Sequence, residues 1–419
     1  MPETITNNDA QYAFDIVKTI CREVGPGLPG STQERERAAM IKKELESHLG
    51  AWNVAVEEFT FAPAAFLRAS PIIALFTLIA ALLNTSMGRF TGVSSWLAAI
   101  AALALSIISP LLFIFEFFYG FELTDPLFKK KQSVNVIGTL RKPGTKGVRR
   151  LLILSGHHDS APENTWLRFL GYGFYFLAAT WFLGFITMLA MSFIQLAGLI
   201  AGNAGIVRFG TLGWALLVYP LAPSILFALF LNRGWKNGGS VPGAADNLSG
   251  SALAVAMCRF LVKNPAYIPD DTEIRFVSFG SEEAGCRGSR RYVARHLDEL
   301  KRLDARLLNY ETIAHPEPIV LTSETDGTVK NSPEMVKGVV AAAERAGVPY
   351  KVQSATLGTG SDAGPFSRAG LKATTLVGFR MQQQVAFYHQ KWDTPEVLTL
   401  EPLLNVLKLT LEWVRNGEE

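Results

Sequence analysis

The chain has 419 residues, of which 49% are hydrophobic and 18% charged, with a mean hydropathy of +0.20. That length holds one large domain or two ordinary ones, and the balance fits apolar membrane segments diluted by a soluble part. A net charge of +3 gives no support to nucleic-acid binding, and three scattered cysteines, Cys21, Cys258 and Cys286, exclude a disulfide framework or a zinc knuckle.

No basic-then-apolar signal opens the sequence, and residues 1–62 read as polar and helical. Helical spacing of apolar positions predicts a helix over Ala10–Val24. Ser31 and Glu34 have capping-box spacing at the head of a second helix that runs to about Leu49. "WNVAVEEFTF" then alternates as a strand does.

From Pro63 the texture changes. Two apolar runs, each of roughly 20 residues or more, occupy 63–121 with a turn near Arg89. Soluble texture returns over 122–165, where "VNVIGTLR" and "RRLLILSGHHDS" read as strands of a buried sheet. Two more apolar runs, Trp166–Ile200 and Leu212–Leu231, fill 166–231, with Arg208 between them. These runs lack the polar face of an ordinary core helix, and Trp96, Tyr119, Trp166 and Trp214 near their ends resemble an aromatic belt. Residues 232–419 alternate strands and helices.

Two membrane hairpins inserted into one soluble α/β body are therefore expected, with all soluble parts on one side of a lipid bilayer. Lys129, Lys130, Lys131, Arg149, Arg150, Arg233 and Lys236 flank that side, against Arg89 and Arg208 at the hairpin turns, which predicts a cytoplasmic soluble body. Glu116 and Arg168, near span ends, read as interfacial side chains. Four spans with almost no internal charge offer little to a transporter.

The soluble parts carry an ordered series of ligand-type residues: His157 and Asp159 in "SGHHDS", Asp246 in "PGAADNLSGSA", Glu282 and Glu283 in "FGSEEAGCRGSRRY", Glu311 in "NYETIA", and Tyr388 and His389 in "YHQKWDT". Each is expected at a strand end or in the loop after it, where open α/β sheets place their sites. Three carboxylates and two imidazoles suit two zinc ions if one carboxylate bridges them.

The order His-x-Asp, Asp-Asn, Glu-Glu, acidic residue and Tyr-His resembles the M28 family of zinc-dependent aminopeptidases and carboxypeptidases, as does the "GSTQERERAAMIKKEL" helix. The resemblance implies a mixed sheet flanked by helices, of zinc-exopeptidase type, and a peptide substrate. It implies that His157 and Glu311 hold one zinc, Glu283 and His389 the other, and that Asp246 bridges them across a cis Asp-Asn peptide. Asp159 would fix the His157 ring, Glu282 would be the general base, and Tyr388 would donate to the oxyanion. Two positions depart from relatives: Glu311 where many have Asp, and Ala363 after Asp362 where many have His. The unusual feature is the second hairpin, set between Asp159 and Asp246 where relatives have a short loop. It is expected to anchor the catalytic body close to lipid and to favour hydrophobic peptides. The other readings of the same residues are an inactive membrane scaffold and a one-zinc glutaminyl-cyclase-like transferase.

Overall fold

A computed structural model of the chain describes residues 4–86, 90–202, 239–355 and 360–416. The chain divides into two units. Unit 1 comprises Met1–Pro63, Lys130–Glu163 and Gly239–Glu419; unit 2 comprises Ala64–Lys129 and Asn164–Gly238.

Unit 1 is built on a nine-stranded mixed sheet. Its strands are β1 Val54–Phe61, β2 Lys131–Arg141, β3 Arg150–His157, β4 Thr272–Phe279, β5 Arg306–Glu311, β6 Ile319–Glu324, β7 Val329–Lys330, β8 Lys351–Ser354 and β9 Lys372–Val377. The order is β1-β2-β4-β3-β5-β9-β6-β7, with β8 paired to β6. The centre, β4-β3-β5-β9, is parallel, and β2 and β6 close it on either side in antiparallel sense.

The central strands are apolar on both faces because helices cover both. Leu152, Leu154, Ile274 and Phe276 face the Asn7–Glu23, Thr32–Leu49, Ser249–Lys263, Pro333–Ala346 and Leu400–Arg415 helices. Their sequence neighbours Leu151, Ile153, Val277 and Phe279 pack with Tyr292, Val293 and Phe366 from the Arg287–Arg302 and Ala363–Arg368 helices. Alternation with period two thus feeds two cores rather than one core and solvent.

Each apolar insertion leaves unit 1 through a backbone neck. Phe61, where the chain departs the first time, is the register partner of Lys131, where it returns. At the second, Pro162 bridges Ser240, the Glu163 N–H donates to Gly239 O at 2.9 Å, and the Val241 N–H donates to Ala161 O at 3.0 Å. The sheet therefore closes as if neither insertion were present. Both necks lie at the end of the sheet where β3 and β4 finish. Arg149 and Arg150 precede or open β3 at its opposite end, whereas Lys131 opens β2 at the return of the first insertion.

Among the described residues, unit 2 contains three helices long and apolar enough to cross a membrane, Pro63–Thr85, Val93–Phe118 and Gly173–Ile200. The Leu212–Leu231 run, with Trp214, lies outside the described residues, as do Arg89, Arg208, Arg233 and Lys236. The Trp166–Ile200 run is not one helix. Asn164 caps a short helix, Thr165–Leu170, by accepting the Leu167 N–H, and Gly171 at φ 51° ends it before the long helix begins at Gly173.

Polarity in unit 2 is turned inward. Asn84 Nδ2 donates to Ser192 Oγ at 2.9 Å, Ser106 and Ser192 hydroxyls meet at 2.9 Å, and Gln195 Nε2 donates to Asn84 O at 3.1 Å, all buried. Leu97, Ile100, Phe176 and Ile186 are exposed. Glu116 is buried rather than snorkelling: it accepts the Leu123 N–H and the Thr124 hydroxyl, both at 2.9 Å. The carboxylate ties down the turn that follows the second apolar helix.

Candidate metal centre

The carboxyl ends of the parallel strands supply most of the site. β3 ends at His157, with Asp159 two residues on. β4 ends at Phe279, and Ser281 at φ 56° turns the chain so that Glu282 and Glu283 follow in a single 3-10 turn. β5 ends at Glu311. Two residues do not stand at a strand end. Asp246 lies in an irregular segment leading into the Ser249–Lys263 helix, with a cis Asp246–Asn247 peptide. His389, at φ 52°, follows the short Met381–Ala386 helix rather than β9 itself.

Close packing brings Asp246 to β3. A Cβ on Gly156 would sit 2.5 Å from the Gly250 carbonyl carbon and 2.6 Å from Ser251 N, so only glycine lets the helix after Asp246 press against the strand that ends in His157. Ser251 Oγ donates to His157 O at 3.0 Å across that contact.

His157, Asp246, Glu283, Glu311 and His389 converge. His157 Nε2 is 3.3 Å from Asp246 Oδ1 and 3.7 Å from Glu311 Oε1; His389 Nε2 is 3.1 Å from Asp246 Oδ2 and 3.2 Å from Glu283 Oε2. The two imidazoles thus address opposite oxygens of one carboxylate. Among the described residues three groups have their ligand atoms mutually within 4.8 Å: His157–Asp246–Glu311 and Asp246–Glu283–His389, drawn from these five, and His157–Glu282–Glu283. Zinc bonds of about 2.0–2.2 Å in a tetrahedron put neighbouring ligand atoms about 3.3–3.6 Å apart, close to these separations. His157 Nε2, Asp246 Oδ2 and Glu283 Oε1 are buried without a hydrogen-bond partner. Buried polar atoms left in that state are costly, and a cation between them satisfies them. The donor set fits zinc.

Charge in the cluster is mutually dependent. Burial by itself pushes both imidazoles down, but Asp159 beside His157 and Glu283 beside His389 outweigh it and hold both well above the usual histidine range. Burial pushes Glu311 up to about 7 and Glu282 well above the carboxylate range. Asp246 goes the other way, because His157 and His389 outweigh its burial.

Asp159 does two things. Its Oδ1 is 3.3 Å from His157 Nδ1, and its two oxygens accept the Glu282 and Glu283 N–H groups, each at 3.0 Å. One side chain fixes both the imidazole and the Glu-Glu turn. Glu282 Oε2 is 3.7 Å from His157 Nε2, beside the cluster. Tyr388 stacks between Phe379, at 5.1 Å, and His389, at 4.0 Å. Burial and the nearby carboxylates push its phenol well above its usual range, so it carries a proton to donate. Arg287 and Arg290 donate to the Ala284 and Gly285 carbonyls, bracing the same turn.

Several buried residues that hold the site escaped the sequence reading. Asp393 accepts the Ala245 and Asp246 N–H groups. Asn247 donates to Tyr310 O and accepts from Gly250 and Thr312. Glu34 departs from the capping box. Ser31 accepts its N–H, but its carboxylate accepts from the Gly30 N–H and from the Ser133 and Ser281 hydroxyls, the last at the head of the Glu-Glu turn. Arg37 donates to carbonyls of Gly25, His158 and Pro242, joining three loops around the site. Asp362, which the sequence reading did note, is fully buried.

A parallel-centred sheet between helices, with five ligand-type side chains at one end, defines a protein of the zinc-exopeptidase fold. Residues 232–414 match the sequence model of Peptidase family M28. Aminopeptidase YwaD of Bacillus subtilis is 30% identical over 178 residues, covering 41% of this chain and 34% of that protein. Leupeptin-inactivating enzyme 1 of Streptomyces exfoliatus is 30% identical over 151 residues, covering 36% and 33%. The chain spans about a third of the length of these curated relatives. Among solved structures, a zinc aminopeptidase from Bacillus subtilis superposes with a TM-score of 0.54 at 16% identity, covering 97% of this chain and 95% of that one. A glutaminyl cyclase from an Acidobacteriales bacterium superposes at 0.52 and 14%, covering 99% and 95%. These two likenesses establish the fold.

Proposed function

We propose that the protein is a membrane-anchored metallopeptidase that holds two zinc ions and removes N-terminal residues from short or hydrophobic peptides. The observation that carries this reading is the placement of His157 and His389 on opposite oxygens of Asp246. His157, Asp246 and Glu311 form one ligand set, and Asp246, Glu283 and His389 the other. Bound zinc supplies a water of lowered pKa and polarises the peptide carbonyl.

Glu282 takes the proton of the attacking water and then delivers it to the leaving amine. Asp159 keeps the His157 ring oriented and the Glu282 backbone fixed. Tyr388 donates its phenolic hydrogen toward the oxygen that gains charge as the carbonyl becomes tetrahedral. A one-ion cyclase would need only Asp246, Glu283 and His389; His157 and Glu311 favour the two-ion hydrolase.

Anchoring in lipid is supported by the three long apolar helices and by their inward polarity, since exposed isoleucine and phenylalanine with buried asparagine and serine suit hydrocarbon rather than water. Lys129, Lys130 and Lys131 at the return from the first hairpin favour a cytoplasmic catalytic side. His157 and Asp246 flank the second hairpin in the sequence, the basis for expecting apolar substrates.

Purified protein in detergent, given peptides blocked at the amino end, the carboxyl end or neither, with zinc present or chelated, tests the reading. Zinc-dependent release from peptides with a free amino end is expected. Cyclisation of N-terminal glutamine would move the assignment to the transferase, and absence of bound metal would leave a scaffold.

A further inference from the structure

We propose that Cys286 is a positioning residue for Glu282: its thiol donates a hydrogen bond to the carboxylate and holds it beside the metal cluster. The proposal rests on reading Glu282 as the general base. Cys286 closes the Glu282–Ala284 turn, where its N–H donates to Glu282 O at 2.7 Å. Its Sγ lies 3.2 Å from Glu282 Oε1 and 3.4 Å from Ser361 O. The carboxylate is therefore held from two sides, Oε1 by the thiol and Oε2 facing His157 Nε2.

A thiol has one hydrogen and here two acceptors. While Glu282 is ionised, the charged oxygen is the stronger acceptor and takes it. The Ser361 carbonyl is neutral and the weaker acceptor. No bond to sulfur forms or breaks, and the thiol ends as it began. Cys286 sits at φ 55°, a left-handed conformation that side chains other than Gly, Asn and Asp adopt rarely.

Sulfur is a weak donor, so the effect is expected at the low end for a hydrogen bond to a charged group. In zinc-loaded full-length protein, Cys286→Ala should lower kcat about ten-fold with KM and bound zinc unchanged. Cys286→Ser, which keeps a donor, should recover to within about three-fold of wild type. Wild-type kcat in the alanine variant, or equal loss in both variants, would overturn the proposal. A second readout does not depend on turnover. Burial first, and the Glu282 charge second, hold the thiol above its usual range; replacing Glu282 by Gln removes the charge and the acceptor, so iodoacetamide should modify Cys286 several-fold faster, resolved from Cys21 and Cys258 by peptide mapping. An unchanged rate overturns the contact. A wild-type protein that cleaves no peptide would sink the peptidase reading, and the alkylation result alone would then decide the contact.

Discussion

Both carboxylate oxygens of Asp393 are committed to the backbone on the amino side of Asp246: Oδ1 accepts the Ala245 N–H at 2.7 Å and Oδ2 the Asp246 N–H at 3.1 Å. The residue between the imidazoles is therefore aimed by a second buried acid 147 positions away. Burial and the charge of Asp246 push the Asp393 carboxyl up to about 8, against the pull of the two N–H donors. Asp393→Asn would set an amide NH2 against one of those N–H groups. Zinc affinity should fall about 10- to 100-fold, as for other outer supports of a metal site. A competitive zinc titration measures it; wild-type affinity would show that Asp246 holds its aim unaided.

Glu282→Gln separates metal binding from chemistry. The amide keeps size and hydrogen-bonding capacity but cannot accept the water proton. Bound zinc should stay at the wild-type ratio while kcat falls about 10²- to 10⁴-fold. Metal analysis beside a steady-state assay reads both. A retained rate removes Glu282 as the base, and a loss of zinc would make it a ligand.

Much of this was legible in the sequence because strands buried on both faces are continuous apolar runs, and polar residues just past them stand out. His157, Glu282, Glu283 and Glu311 were visible for that reason. Asp393 and Glu34 were not. Their partners are backbone N–H groups and serine hydroxyls far along the chain, and no local periodicity encodes those. Glu34 also fits a capping pattern, which offered a sufficient local explanation for a carboxylate whose real partners include Ser281, 247 positions on. The break at Gly171 was hidden by uniform hydropathy, since a glycine in an apolar run reads equally as membrane helix or as helix end.

Gly156 tests the packing that joins Asp246 to β3. An added Cβ would meet the Gly250–Ser251 backbone, which has no flexible side chain to yield. Gly156→Ala should destabilise unit 1 by about 1–3 kcal/mol, the usual result of overpacking. It should also weaken zinc binding, because relief requires the Asp246 segment to move. Thermal unfolding with and without zinc measures both. An unperturbed melting temperature would show slack that the close approach denies.

Glu34 carries a pH dependence whose sign is fixed by burial. Burial, reinforced by the charge of Asp159, pushes its carboxyl up to about 8 from its ordinary 4.5. The folded protein therefore holds a proton that the unfolded chain releases as pH rises past 4.5. This favours the folded state fully below that pH, and the advantage is lost progressively up to about 8. Glu34→Gln has no such proton. The melting temperature of wild type relative to the variant should therefore decline as pH rises through that window, and level off above it. The comparison belongs on metal-free protein, where zinc does not alter the charge on Asp159. A constant gap between the two curves would mean that Glu34 is ionised in the folded state, with Ser133, Ser281 and the Gly30 N–H stabilising the charge against burial.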